Sequence, residues 1–176
     1  MNTNILNQKT IKKTTTFKGI GLHSGKELMV KISPSSPNAG IIFIRSDLKK
    51  HNIIKPNVFN VIDASYCTTI SNEFGVRIST IEHLMAALYV KGIDNAVIEV
   101  DGPEIPIMDG SSKEFLEIIE NAELEISDKP IKIVKIDREV SFSIGQKFIK
   151  IKPSNVSLTI DFEIDFSNPL IGKQRN

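Results

Sequence analysis

Arg77-Ile-Ser-Thr-Ile-Glu-His-Leu-Met-Ala-Ala-Leu88 is the stretch on which the reading of this chain turns. Ser79 followed three positions later by Glu82 fits a capping box and predicts the start of a helix. At about 100° per residue, Ile81, Leu84, Met85 and Leu88 make one apolar stripe, and Glu82, His83, Ala86 and Ala87 take the remaining arc. A surface helix carries Lys and Glu opposite its stripe. Two alanines beside an acid and an imidazole instead predict a helix covered on both sides. A neutral imidazole can ligate zinc, and a carboxylate that is not itself a ligand can take a proton from metal-bound water, whose pKa falls to roughly 7. Adjacent helical residues diverge, so Glu82 and His83 can serve one water only near the helix N-terminus, with further ligands supplied from elsewhere. The plainer alternatives are that Glu82 is a cap and His83 a hydrogen-bonded structural residue.

Working outward, the 176 residues with 40% apolar composition suffice for one domain or two small ones. A net charge of +1 argues against a broad electrostatic footprint for nucleic acid, and Lys49, Lys50 and Lys55 read as a solvated loop. Met1 to Gln8 holds no apolar core of signal-peptide length, and no run reaches the roughly 20 apolar residues of a membrane span, so the expectation is a cytoplasmic protein. Cys67 is the only cysteine, which excludes an internal disulfide and a Cys-based zinc cage within one chain. Any metal site has to use His, Asp or Glu, and the histidines are His23, His51 and His83.

The organisation reads as strand, turn, strand over Ile11 to Phe17, the glycine-rich Gly19-Ile-Gly-Leu-His-Ser-Gly25, and Leu28 to Ile32. Further strands are expected at Ile41 to Arg45, Val58 to Ile62 and Tyr66 to Ser71, with Asn72-Glu-Phe-Gly75 as a hairpin turn into Val76 to Ile78. The helix runs to about Val90 and stops at Gly92. Ala96 to Val100 is a β-branched strand, and Ser111 with Glu114 offers a second capping box for a helix over 112–121. Residues 1–127 are thus expected to form one α+β domain, two helices on a mostly antiparallel sheet. Ser127-Asp-Lys-Pro130 reads as a linker into a strand-only portion, 128–176, with segments at Ile131 to Ile136, Glu139 to Ile144, Lys147 to Ile151 and Ser157 to Asp165. Met29-Val-Lys-Ile-Ser-Pro-Ser35 echoes Phe148-Ile-Lys-Ile-Lys-Pro-Ser154, with Pro34 and Pro153 aligned at an offset of 119. If the echo marks a duplication, the second copy's helix falls beyond Asn176. Strands with one apolar face and nothing to cover it are poorly stabilised, so this portion reads as an incomplete second domain.

Four stretches in this order, Gly19 to Gly25, Arg77 to Leu88, Gly92-Ile-Asp-Asn95 and Glu104-Ile-Pro-Ile-Met-Asp-Gly-Ser111, resemble the N-terminal half of the UDP-3-O-acyl-N-acetylglucosamine deacetylases. These are zinc enzymes of lipid A biosynthesis in Gram-negative bacteria. The resemblance implies a fold of two similar domains, each a sheet with a helix pair, with the helices sandwiched between the sheets. It implies Zn2+ as cofactor, His83 as one zinc ligand, and Glu82 as the general base for a water that attacks the 2-acetamido carbonyl and releases acetate. It also implies that Leu22 and His23 lie at the active-site mouth and that Cys67 lines the cleft. An exposed loop histidine and a small buried residue remain the plain alternatives for His23 and Cys67. Asp109, Asp94 and Asn95 read first as turn formers.

The family takes its other two zinc ligands, a His and an Asp, from a His-Lys-x-x-Asp helix in the second domain, and no such segment occurs here. Two functional readings therefore stand: a deacetylase half completed by a separately encoded C-terminal half, or a non-catalytic remnant acting at most as an interaction module. An RNA-binding domain has only fold analogy behind it and is opposed by the balanced charge. A His-Glu-x-x-His hydrolase is excluded because no second His follows at helical spacing.

Overall fold

The computed structural model describes residues 7–155 and 158–176, so the readings that fall on Met1 to Leu6 and on Ser157 lie outside the described residues. The chain divides into two compact units, Met1–Ile131 and Lys132–Asn176.

The first unit is α+β. Its main sheet has five strands in the order β2 (Thr15–Ile20), β3 (Glu27–Pro34), β9 (Ala96–Val100), β4 (Ile41–Arg45) and β5 (Ile53–Ile54). All neighbours are antiparallel except β4 and β9, which run parallel with Phe43 opposite Ile98. Alternation fixes the register. Leu28, Val30 and Ile32 of β3 and Ala96, Ile98 and Val100 of β9 point into the core, while Glu27 and Met29 face water. A three-stranded sheet of β6 (Val61–Asp63), β7 (Thr69–Ser71) and β8 (Arg77–Ile78) follows a 3-10 turn at Val58–Asn60.

Two helices, α1 (Glu82–Lys91) and α2 (Lys113–Asn121), pack on each other and form the second layer. Leu84, Ala87 and Leu88 of α1 and Phe115 and Ile119 of α2 enter the same core as the sheet residues, and Phe115 meets Phe17 of β2 edge to face at 5.7 Å. α1 ends as the sequence reading has it. Gly92 adopts φ +69°, its N–H donates to Tyr89 O, and Ile93 N–H donates to Leu88 O.

Several expectations need correction. Ser79 does not cap α1: its N–H and Oγ both donate to Pro103 O, and the helix begins at Glu82 after Ile81 with no side-chain cap. Ser111 does not form a box with Glu114 either; its Oγ accepts Lys113 N–H and donates to Asp109. α1 is not covered on both sides, since Ala86, Tyr89 and Val90 are exposed, and Ala87 joins the buried side instead. The strand expected over Ile11 to Phe17 is broken at Lys12 to Thr14, where Lys12 and Lys13 N–H donate to Glu123 O and Ala122 O.

Ser127 to Pro130 is strand, not linker. It closes β10 (Leu124–Pro130), which pairs with β1 (Asn7–Ile11). Ile131 to Ile136, read as a strand, is not in a strand and has no pairing partner among the described residues. Asp94 and Asn95 are more than turn formers: Asp94 Oδ2 accepts Lys9 N–H at 2.8 Å. The buried Asn95 accepts Gly40 N–H at 3.0 Å and donates to Gln8 Oε1 at 3.0 Å.

The second unit consists of two hairpins. β11 (Val140–Ile144) pairs with β12 (Lys147–Ile151), and β13 (Glu163–Asp165) with β14 (Lys173–Arg175), all antiparallel. Among its described residues none is buried, and Phe142, Phe148 and Ile149 are exposed. No helix of the described residues is long and apolar enough to cross a membrane.

Asn95→Ala strips Gly40 N–H of its acceptor and Gln8 Oε1 of one of two donors, the other being Asn38 N–H, at a buried position. Its expected cost is about 1–3 kcal/mol, read as a lower denaturation midpoint of the first unit with an unchanged m-value.

Candidate active site

Glu82 opens α1, where unpaired amides and the helix dipole favour a carboxylate. Its side chain is half-buried, and Oε2 accepts Thr68 N–H at 3.0 Å. Among the described residues Oε1 accepts no hydrogen bond. Thr68 follows Cys67 just ahead of β7, so the small sheet brings the Cys67 segment to the helix start. Cys67 is half-buried, with Sγ 3.6 Å from Thr69 Oγ1. Glu82 and Thr68 border a groove of about 260 Å³ whose other walls include Pro56, Val58, Val61, Ile70 and Met85. Its polar lining residues are Asn57, Thr68 and Glu82, and the rest of the wall is apolar.

His83 is half-buried and diverges from Glu82, as neighbours on a helix must. Its carbonyl accepts Ser112 Oγ–H at 2.9 Å, tying the start of α1 to the start of α2. Among the described residues its ring has no hydrogen-bond partner, which leaves the imidazole nitrogens available.

Leu22 and His23 are exposed on the turn between β2 and β3. The turn closes through Gly21 N–H to Lys26 O and Gly25 N–H to Gly21 O, with Gly25 at φ +64°. A residue with no assigned role in the sequence reading holds it. Glu104, 2% exposed, accepts His23 N–H at 2.9 Å on Oε1 and Ser24 N–H at 3.0 Å on Oε2. Thr80 Oγ1 donates to the same Oε1 at 3.3 Å. A Cβ on Gly21 would overlap Ser24 Oγ and Glu104 Oε2, so glycine is required there by the carboxylate. Burial pushes the Glu104 pKa up, but the His23 and Ser24 amides, the Ser24 hydroxyl and the His23 charge together hold it below its ordinary 4.5. The available signal was a lone acid in the run Glu104-Ile-Pro-Ile107, since an acid among buried apolar residues needs dedicated donors.

The turn, the Cys67–Thr68 segment and the first turn of α1 are therefore linked by hydrogen bonds, the first through Glu104 and Thr80, the second directly at Glu82. Asp109 stands apart as a turn residue, its carboxylate accepting Ser111 N–H and Oγ–H.

Residues 8–176 match the LpxC family, described as UDP-3-O-acyl N-acetylglycosamine deacetylase. The chain belongs to this family. Curated relatives named UDP-3-O-acyl-N-acetylglucosamine deacetylase include that of Actinobacillus pleuropneumoniae serotype 3 (strain JL03), 42% identical over 169 residues. Those of Haemophilus ducreyi and Glaesserella parasuis serovar 5 are 42% and 41% identical. The alignments cover 96–97% of this chain and 55–56% of each relative, so the chain spans about half the length of the LpxC relatives it matches.

The donor set does not make a zinc site. Among the described residues no three His, Cys, Asp or Glu side chains cluster as a metal site requires, and His83 offers one ligand where a catalytic zinc takes three from protein.

Because the folded-state pKa of Glu104 is lowered, its contribution to stability is complete above pH 4.5 and is lost as pH falls through the folded value. Glu104→Gln should be less stable than the parent at neutral pH. The gap should narrow below pH 4.5 in denaturant titrations run at stepped pH.

Proposed function

We propose that this chain supplies the Glu82–His83 half of a zinc-dependent UDP-3-O-acyl-N-acetylglucosamine deacetylase of lipid A biosynthesis. The observation that carries the reading is the state of Glu82 in a chain of this family: one carboxylate oxygen is fixed by Thr68 N–H and the other is open. Glu82 is the general base. Its open oxygen takes a proton from a water that attacks the 2-acetamido carbonyl, and the same proton then leaves with the amine as acetate departs. His83 is one metal ligand, and the ligands that complete the site come from outside the described residues. Zinc, when bound, supplies Lewis-acid polarisation of the carbonyl.

Leu22 offers substrate an exposed apolar contact, with His23 and Cys67 beside the path to Glu82. The substrate is that in the relatives' name, and a cytoplasmic location belongs to the same proposal. The second domain, expected over 128–176 as one of the same kind as 1–127, is proposed for Lys132–Asn176, since β10 up to Pro130 pairs with β1 of the first unit. The β11–β12 hairpin, whose second strand echoes β3 in sequence, supports that assignment. The polypeptide that completes this domain is the remaining half of a relative's sequence, encoded with this chain or separately. A non-catalytic remnant is the second reading, favoured by the lack of any buried residue among those described in 132–176.

The test supplies the C-terminal half of the Actinobacillus relative in trans and follows acetate release from the acylated UDP-sugar. Zinc-dependent turnover is expected, lost on chelation and restored by zinc. Glu82→Ala should lower it by about 10²-fold or more, in the range of general-base catalysis. His83→Ala should lower the zinc retained by the assembly in elemental analysis. Full rate with Glu82→Ala eliminates the assigned base, and no turnover by the parent assembly favours the remnant.

A further inference from the structure

We infer that Glu104 is a positioning residue of this site: its one carboxylate fastens the glycine-rich turn carrying Leu22 and His23 to the residues that lead into the Glu82–His83 helix. The fastening is read from geometry alone; its effect on turnover rests on the function proposed above.

A carboxylate that is 2% exposed beside the fully buried Ile105 is unfavourable unless its charge is met. Among the described residues no lysine or arginine pairs with Glu104. Its oxygens instead receive the His23 and Ser24 amides and the Thr80 hydroxyl. These donors come from two segments far apart in sequence. The amides belong to the turn after β2. The hydroxyl belongs to Thr80, itself 2% exposed and two residues ahead of Glu82. The strap around Glu104 is also zipped to the helix lead-in by main-chain bonds, Ser79 N–H to Pro103 O at 2.9 Å and Ile105 N–H to Ser79 O at 3.0 Å. Ile107 N–H donates to Ile20 O at 3.0 Å and ties the strap's far end to the end of β2.

Thr80 sits at φ +59°, a left-handed conformation that a β-branched residue keeps only when its surroundings impose it. The Glu104 carboxylate is part of that imposition. On the turn's side, Gly21 leaves the space that the carboxylate fills. A glutamine in place of Glu104 has one acceptor oxygen and would present N–H groups to one of the two amides, so it can hold His23 or Ser24 but not both. Charge is what the arrangement requires. Glu82 has a separate anchor in Thr68, so loosening Glu104 frees the turn first.

The experiment is amide hydrogen exchange by NMR on the whole chain, with the parent and Glu104→Gln compared. In the parent, His23 and Ser24 amides should exchange more slowly than that of Leu22, although all three residues are exposed. In Glu104→Gln, exchange at His23 or Ser24 should rise about tenfold more than at the amides of β3 and β9, whose shared rise reports the lower global stability. A rise at the turn no greater than that across the sheet, or no rise at the turn, overturns the inference. If the variant does not fold, the parent comparison decides: equal exchange at Leu22, His23 and Ser24 overturns it. In the assembly with the relative's C-terminal half, Glu104→Gln should raise KM about tenfold and leave kcat within about threefold. Unchanged KM with a loosened turn overturns the positioning role. An inactive parent assembly counts against the proposed function, and the exchange measurements still decide the fastening.

Discussion

The constraint on which the site depends is the cost of one buried negative charge. Removing a carboxylate from water costs several kcal/mol even after relaxation, whereas a hydrogen bond to a charged group returns about 1.5–3 kcal/mol. Glu104 collects two amides and a hydroxyl, and its pKa lies below 4.5, so the donors outweigh the burial. The local architecture follows from that balance. Gly21 has to lack a Cβ, the turn has to aim consecutive amides inward, and Thr80 has to present its hydroxyl from a left-handed backbone. With Ser79 bound to Pro103 and Thr80 to Glu104, neither can cap a helix, and α1 begins at Glu82. The start of the helix is set by a residue 22 positions further along the chain, and not by its own capping signal.

The two units differ in what holds them. The first buries residues from every strand of the main sheet except the edge strand β2, which contributes the half-buried Phe17, together with both helices. In the second, two-stranded hairpins display Phe142, Phe148, Ile149 and Phe162 without a layer to cover them. Isolated hairpins of this kind are marginal in water, and their ion pairs, Lys150 with Glu139 and Lys173 with Glu163, are exposed and weak. Stability of the chain therefore resides in residues up to Ile131, where Glu82, His83, Cys67 and the glycine-rich turn all lie.

Much of this was legible in the sequence where the signal is local. Gly92 ends α1, Asn72 to Gly75 turns a hairpin, and β9 occupies the β-branched run Ala96 to Val100 because each is decided within a few residues. The failures have a common cause in distant partners. Ser127 to Pro130 has a linker's composition, yet it pairs with β1 more than a hundred residues earlier, and Asn7 and Gln8 side chains donate to Ser127 O and Pro130 O. Ile131 to Ile136 has a strand's composition but pairs with no strand among the described residues. Ser79 and Glu82 have the spacing of a capping box, and both side chains are taken by other segments, Ser79 by Pro103 and Glu82 by Thr68. Spacing reports what a residue can do locally; it does not report a better partner elsewhere.

Glu82 and Glu104 show how the same side chain is sorted into two roles by donor count. Glu104 has both oxygens engaged from within the chain, Oε1 by two donors and Oε2 by one, so protonating it weakens bonds that hold the turn. It is suited to holding the backbone. Glu82, which lines the groove with Met85 and Val61, is engaged by one amide through one oxygen, and its other oxygen accepts no hydrogen bond among the described residues. It is suited to exchanging a proton. Next to Glu82, His83 commits its carbonyl to Ser112 and leaves its ring without a hydrogen-bond partner among the described residues, so the helix start is tied through its main chain while these two side chains stay available. The catalytic role proposed for the pair needs that division between fixed backbone and open side chains, because groups held loosely lose orientation and groups fully saturated cannot react.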